Sequence, residues 1–426
     1  MPRRQMQLIA LLLIWACTSG VPMSADEPAV VQAPVILTRE TVPQTADEAT
    51  TAAERLQLEI PEDQRSESVR MLLSIASGAQ MQSTDGWFGP AKSEFTFGSL
   101  VERWGEPTEG GFSIEKLSDP QELLARLDRN KDGRITAGDL DWSDGNPWVE
   151  QSYMANRFFR RLDSQGDGQL TAEEWQAFFD KARGDEESLT YEGFRDALIG
   201  GGSAGGFRPG DAPSVETLLK GLASGEIGSL QEGPLPGDIA PEFQLPLLDG
   251  SGTVSLSSLV GEKPTVLVFG NYTCGPFRSM YPGVEPIVAR FNDRVNFLFV
   301  YVREAHPCNG WCMSSNETAG VHVEQPLDNA ARTAVAKTCM AILKPSIPVV
   351  VDGVDDTVGN QFSAMPARLY VLDKNGAVTY QSGRGPFGFK VGEMEQALVM
   401  TLLNEIPAPH MPETPMEPAE PAKPAE

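Results

Sequence analysis

Basic residues are scarce. Lys and Arg total 34 against 59 Asp and Glu, a formal net charge of −25. That balance argues against nucleic-acid binding, which needs a basic patch. It permits cation binding, and charge of either sign also serves solubility alone. A long apolar run is missing as well: Leu8–Ala16 falls short of the roughly 20 residues that a membrane-crossing helix needs. Cysteine is sparse, five in 426 residues. Setting Cys17 aside leaves Cys274, Cys308, Cys312 and Cys339, all in the C-terminal half. This excludes a disulfide scaffold spread along the chain and suits redox chemistry confined to one domain. The length predicts two or three domains, each with its own core.

Arg3 and Arg4 followed by the short apolar run read as a targeting segment. Two processing routes fit: cleavage after a small residue between Gly20 and Ala25, or acylation of Cys17 in Ile14-Trp15-Ala16-Cys17, which is similar to a bacterial lipoprotein box. Either predicts a secreted or periplasmic protein, touching membrane only through a lipid anchor at Cys17. The expected divisions are a signal peptide at 1–25, a disordered spacer at 26–53, a helical domain at 54–199, a flexible linker at 200–235, an alternating β and α domain at 236–405 and a disordered tail at 406–426. The turn Asp85–Pro90 is expected to pack as a cap.

Two loops in the helical part carry metal-ligand spacing. The first offers Asp128, Asn130, Asp132 and Asp139 at loop positions 1, 3, 5 and 12, with the Arg134 carbonyl at position 7. The second offers Asp163, Gln165, Asp167 and Glu174, with the Gln169 carbonyl. Gly133 and Gly168 stand at position 6, where the loop turns sharply. This is the EF-hand pattern, whose oxygen ligands suit calcium. Glu174 can bind through both oxygens; Asp139 is shorter, so the second loop is expected to be the tighter. Ile135 and Leu170 at position 8 are expected to pair the two loops, and the flanks Trp104–Leu117 and Ala182–Phe194 are candidate partners without ligands. The expected fold class is therefore multi-domain: an all-α EF-hand domain followed by an α/β domain. A stabilising role for calcium is expected over a regulatory one, because the flanks are rich in Leu and aromatics rather than Met.

The α/β assignment rests on an apolar strand, Val266–Phe269, feeding Cys274-Gly275-Pro276-Phe277 at a helix start. Helical N–H groups there favour thiolate. The stretch resembles a thioredoxin Cys-Gly-Pro-Cys site with Phe277 in place of the second Cys. Strands at Val295–Val302 and Pro348–Val351, helices at Asn329–Leu343 and Gly392–Leu403, and a hairpin at Leu369–Gln381 follow in thioredoxin-like order, with Pro366 expected in cis facing Cys274.

Further residues sharpen the resemblance. Phe297 to Trp311, with Tyr301, Glu304-Ala305-His306 and Gly310-Trp311, is similar to the signature of the iodothyronine deiodinases, and Gly383-Arg-Gly385-Pro386-Phe387 resembles a later element of that family. Cys274 stands where that family has selenocysteine. The resemblance implies Cys274 as nucleophile, His306, Glu304, Tyr301 and Thr273 as a hydrogen-bonding and proton relay, a small-molecule substrate, an external thiol reductant and a homodimer. A His–carboxylate pair is expected to tune the imidazole. Cys308 and Cys312 are departures from the family: they resolve an oxidised Cys274, or bridge each other structurally. The leading expectation is an extracytoplasmic calcium-binding thiol oxidoreductase, acting by reductive dehalogenation or a related reduction. A redoxin-type peroxidase or thiol–disulfide protein is the alternative, weakened by Asn271 where peroxiredoxins carry Thr. A calcium-stabilised binding protein without catalysis is the third.

Overall fold

The computed structural model describes residues 37–78, 90–108, 110–143, 145–164, 169–200, 213–228, 230–385 and 387–408. All lie within one compact unit, Val35–Glu426. The targeting segment, Cys17, most of the cap turn, Gln165, Asp167, most of the tail and Pro386 fall outside the described residues. Among the described residues no helix is long and apolar enough to cross a membrane.

Helices α1 (Ala46–Glu59) and α2 (Glu67–Ala76) come first. The stretch from residue 37 to 53, expected as spacer, is ordered, with Leu37, Val42, Ala49 and Ala53 buried. Its start signal is Thr45-Ala-Asp-Glu48: the Thr45 hydroxyl accepts from the Glu48 N–H, and the Glu48 carboxylate accepts from the Gln44 N–H. Strand β1 (Lys92–Ser93), helix α3 (Phe97–Trp104), strand β2 (Phe112–Ser113), helix α4 (Gln121–Leu127) and strand β3 (Arg134–Ile135) follow. Helices α5 (Pro147–Leu162), α6 (Ala172–Arg183), α7 (Tyr191–Arg195) and α8 (Val215–Ser224) complete the first half. Helix α8 lies in the stretch expected as linker. Its Leu218, Leu219 and Leu222 are buried against α1 and α2, which an amphipathic Ser214-capped segment can do and a solvated linker does not.

The second half opens with the hairpin β4 (Gln244–Pro246) and β5 (Thr253–Ser255). Then come β6 (Thr265–Gly270), α9 (Gly275–Met280), α10 (Glu285–Phe291), β7 (Asn296–Tyr301), α11 (Ser314–Thr318), α12 (Asn329–Leu343), β8 (Val349–Val351), α13 (Thr357–Gln361), β9 (Arg368–Leu372), β10 (Val378–Gln381) and α14 (Val391–Asn404). The main sheet runs β1-β10-β9-β6-β7-β8. Strands β6, β7 and β8 are parallel, while β9 is antiparallel to β6 and β10 to β9. This is the expected thioredoxin-like order, and the Met365–Pro366 peptide ahead of β9 is cis, as expected. Strands β6 and β7 are apolar on both faces because helices cover one and the hairpin, Phe362 and Tyr370 the other.

The expected division into two separate domains does not hold. Leu123, Leu124 and Leu127 of α4, with Trp104, Phe112 and Ile135, share one core with α14 and the sheet. Trp142 Nε1 donates to Gln396 Oε1 on α14 at 2.7 Å, and β1, from the first half, extends the sheet at β10. The first calcium-type region therefore folds onto the thioredoxin-like sheet as one core.

Candidate functional site

Strand β6 ends at Gly270 and delivers Cys274 to the residue before α9. Cys274 is 1% exposed, so an electrophile reaches its sulfur only when the groups packed over it move. Phe277, in place of a second thiol, is fully buried. Its ring meets Tyr281, Phe299 and Phe389 at centroid distances of 5.8, 5.6 and 5.4 Å. It also fills the space beside Gly270, where any Cβ would collide with the ring. The position belongs to the aromatic core, so the site is monothiol by construction.

Asn271 ties the site together. Its Oδ1 accepts from the N–H of Cys274 at 3.0 Å and of Ala305 at 3.2 Å, while Nδ2 donates to the Pro366 carbonyl at 2.8 Å. One buried amide thus holds the Cys turn, the Glu-Ala-His segment and the cis-Pro loop. In sequence Asn271 stands out as a mismatch to peroxiredoxins. Its readable signal was a side-chain acceptor three residues before the Cys, the spacing of an Asx cap. Asn316 of α11 is a second missed residue: its Nδ2 donates to the Thr273 carbonyl at 2.8 Å, and its Oδ1 accepts from Arg278 at 3.1 Å.

Glu304 is 1% exposed. Its Oε2 accepts from the N–H and the hydroxyl of Thr273, each at 2.8 Å, and its Oε1 accepts from the Tyr301 hydroxyl. That hydroxyl accepts from the Tyr272 N–H at 3.1 Å. Burial pushes the Glu304 carboxyl above its ordinary range and outweighs the opposing pull of the Tyr301 and Thr273 hydrogen bonds. Burial and the neighbouring Glu304 also push the Tyr301 phenol well above its ordinary range. Thr273, Tyr301 and Glu304 therefore do come together.

His306 joins this group through its backbone. Its N–H donates to Thr273 Oγ1 at 2.9 Å, while its ring Nδ1 meets the Trp311 carbonyl at 3.1 Å. The expected His–carboxylate pair is not formed. The Glu304 carboxyl is occupied by Thr273 and Tyr301, and the chain bends at 305–306, where the His306 ring turns to the Trp311 carbonyl instead.

The thiols separate into two kinds. Cys308 is exposed and Cys312 half-buried; both are free, and they lie within hydrogen-bond reach of each other. Burial and the adjacent Cys308 raise the Cys312 thiol above its ordinary range. Cys339 on α12 is buried, and burial raises its thiol strongly, which keeps it neutral and unreactive.

Residues 218–401 match the family model of the iodothyronine deiodinases. The deiodinase-like stretch is 34% identical over 159 residues to thyroxine 5-deiodinase of Gallus gallus, covering 37% of this chain and 60% of that protein. It is 32% identical over 167 residues to type I iodothyronine deiodinase of Xenopus laevis, covering 39% and 63%. The chain thus spans about three fifths of the length of these relatives. A reduced 2-Cys peroxiredoxin of Plasmodium vivax aligns with a TM-score of 0.29 and 19% identity, over 40% of this chain and 98% of that one. All five residues of the Cys274 wall (Asn271, Thr273, Tyr301, Glu304 and His306) lie inside the deiodinase-like stretch.

Residues 156–179 match an EF hand, which spans the second loop. In that loop Asp163 and Glu174 are buried, and Glu174 accepts from Ser164 and Thr171. The first loop is described in full. Asp128 accepts from the N–H of Asp132 and Gly133, Asn130 from Asp132, and Asp139 from Arg129 and Thr136. Gly133 has φ +82°, the turn that position 6 demands. Among the described residues no three His, Cys, Asp or Glu side chains are gathered as a metal cage; the first loop's carboxylates are turned to its own N–H groups. The expected pairing of Ile135 with Leu170 is replaced: Ile135 pairs with Phe112 in the β2–β3 ladder. Gly111, at φ +93°, allows the approach, since a Cβ there would lie 2.5 Å from the Ile135 carbonyl oxygen. The unliganded flank Trp104–Leu117 is thus the first loop's partner.

Proposed function

We propose that the chain is an extracytoplasmic, calcium-binding thiol oxidoreductase that uses Cys274 to dehalogenate an aromatic substrate reductively. The observation that carries this is Cys274 at a strand-to-helix corner, joined through Asn271 and Thr273 to the Glu304–His306 segment within the deiodinase-like stretch. The Cys274 thiolate attacks the halogen. The sulfur–halogen bond forms as the carbon–halogen bond breaks, and the ring carbon takes a proton from His306. An external thiol then displaces halide from sulfur as a mixed disulfide, and a second thiol releases Cys274 reduced. Glu304, its carboxyl pushed above its ordinary range by burial, holds Thr273 and Tyr301 rather than pairing with the imidazole. Placement outside the cytoplasm is supported by the Arg3–Ala16 segment alone.

The test is iodide release from 2,6-diiodophenol under excess dithiothreitol. Wild type is expected to release iodide and Cys274→Ser to fall to background; equal rates in the two would sink the reading. The touching thiols of Cys308 and Cys312 favour a self-resolving variant of the same cycle. In it, Cys308 displaces halide or hydroxide from Cys274 sulfur, Cys312 displaces Cys274, and the external thiol reduces the Cys308–Cys312 bridge. Peptide mapping after a single turnover separates the two, since only the self-resolving cycle leaves that bridge.

Calcium suits the acidic loops. Asp128, Asn130, Asp132, Asp139 and the Arg134 carbonyl would hold it in the first; Asp163, Gln165, Asp167, Glu174 and the Gln169 carbonyl in the second. The donor set is all oxygen and the Gly133 turn has the required hand, so the residues fit the ion. Bound calcium would neutralise clustered carboxylates and stiffen helices that share the sheet's core. Calcium is expected to raise the melting temperature, and Asp128→Ala with Asp163→Ala to abolish the rise. An unchanged melting curve in chelator would remove calcium from the account.

A further inference from the structure

We propose that Trp311 fixes the tautomer of His306, and that the helices ahead of the deiodinase-like stretch hold Trp311 in place. The inference rests on the reading of His306 as the proton-handling group. A carbonyl oxygen only accepts hydrogen bonds. The 3.1 Å contact of His306 Nδ1 with the Trp311 carbonyl therefore puts the proton of the neutral ring on Nδ1 and leaves the lone pair on Nε2. Nε2 is then the atom that takes a proton from the Cys274 thiol and returns it to carbon, while Nδ1–H stays bonded throughout.

This works only while the Trp311 carbonyl stays where it is. Trp311 sits in the short loop Cys308–Cys312, tied internally by Gly310 N–H to Pro307 and Cys312 N–H to Gly310. Its ring supplies the rest. It stands edge-on to the His306 ring at 4.8 Å, and with Phe387 it packs against the cluster formed by α1, α2 and α8. That cluster is fastened to the sheet by a buried clamp. Glu67 of α2 receives Arg368 of β9 on Oε1 and Arg384 on Oε2, the latter at 2.9 Å. Met71, one turn further along α2, takes another Arg384 N–H on its sulfur at 3.2 Å. Helices α1 and α2 precede residue 218, where the family match begins. The helices ahead of the match thus reach the imidazole through Trp311, and Glu67 acts on His306 by way of it.

The chain has three histidines, His306, His322 and His410, so nitrogen-15 imidazole spectra of the full-length protein can be assigned with one variant, His306→Gln. In wild type, His306 is expected as the Nδ1–H tautomer. Trp311→Leu and Glu67→Gln are expected to convert it to a mixture while His322 stays unchanged, and to lower kcat for iodide release from 2,6-diiodophenol about tenfold with little change in KM. His306 still wholly in the Nδ1–H form in Trp311→Leu overturns the proposal. Should that variant fail to fold, Trp311→Phe decides by the same spectrum, because it keeps a ring for the helices but loses part of the contact; an unchanged tautomer there is equally fatal. If the tautomer follows Trp311 but His306→Gln releases iodide at the wild-type rate, the catalytic role of His306 falls and the positioning stands.

Discussion

Glu67 and Glu304 are buried almost equally, at 3% and 1% exposure, yet their carboxyl pKa values move in opposite directions. Glu67 faces two guanidinium groups. Burial alone would push its carboxyl up, but Arg368 and Arg384 outweigh it and hold the group below its ordinary 4.5. Glu304 faces a phenol, a threonine hydroxyl and an amide. Burial prevails there, and its carboxyl rises above 4.5. Desolvation penalises the charged form of both, so the neighbours decide which way each pKa moves. Glu67 fastens the N-terminal helices to the sheet; Glu304 orders the wall behind Cys274.

The largest way to break this contrast is Glu67→Ala. It leaves two guanidinium groups buried without their counter-charge and is expected to cost about 3–5 kcal/mol in urea unfolding at pH 7. A cost below about 1 kcal/mol would mean that the clamp is not charged as described. Next is Glu304→Gln, expected to cost about 1–3 kcal/mol at pH 5, because an amide cannot accept all of the Thr273 and Tyr301 bonds. The two sites should depend on pH with opposite sign. The folded-state pKa of Glu67 is lowered, so its stabilisation is complete above 4.5 and disappears as pH falls through the folded value. The folded-state pKa of Glu304 is raised, so its contribution is complete below 4.5 and is lost as pH rises through the folded value. The gap between wild type and Glu67→Gln should therefore close in acid, and that between wild type and Glu304→Gln should narrow with alkali; the same slope for both would end the comparison. The smallest effect is expected from Tyr301→Phe, about 1 kcal/mol. It removes a hydrogen bond that lowers the Glu304 pKa, so carbon-13 titration of Glu304 should move still higher. A downward move would assign the tyrosine the opposite role.

Local pattern made much of the α/β half legible. Helix α12 spans Asn329–Leu343 as expected, and the β9–β10 turn closes on Asp373, whose carboxylate accepts from the N–H of Asn375 and Ala377. Cys274, Thr273, Tyr301, Glu304 and His306 were all readable as site candidates because their spacing resembles a family signature. What misled was composition. The Ala- and Thr-rich stretch before Ala53 looked like spacer although Thr45 and Glu48 cap a helix there, and Gly200–Gly206 extended the expected linker over a helix that packs. The pairing of Ile135 with Phe112 went unread because the preceding loop lacks ligand spacing.

The strand-to-Cys corner and the oxygen-ligand loops follow from local sequence, since each depends on residues within about a dozen positions of one another, and the scarcity of thiols follows from composition. How the groups are partnered is a property of the folded core. It brought Glu67 to Arg384 across 317 positions, gave Glu304 to Thr273 and Tyr301 instead of His306, and packed Trp311 against helices from the other end of the chain. The physical reason is that burial and the choice of neighbour set charge and tautomer, and both exist only after distant segments have closed the core around them.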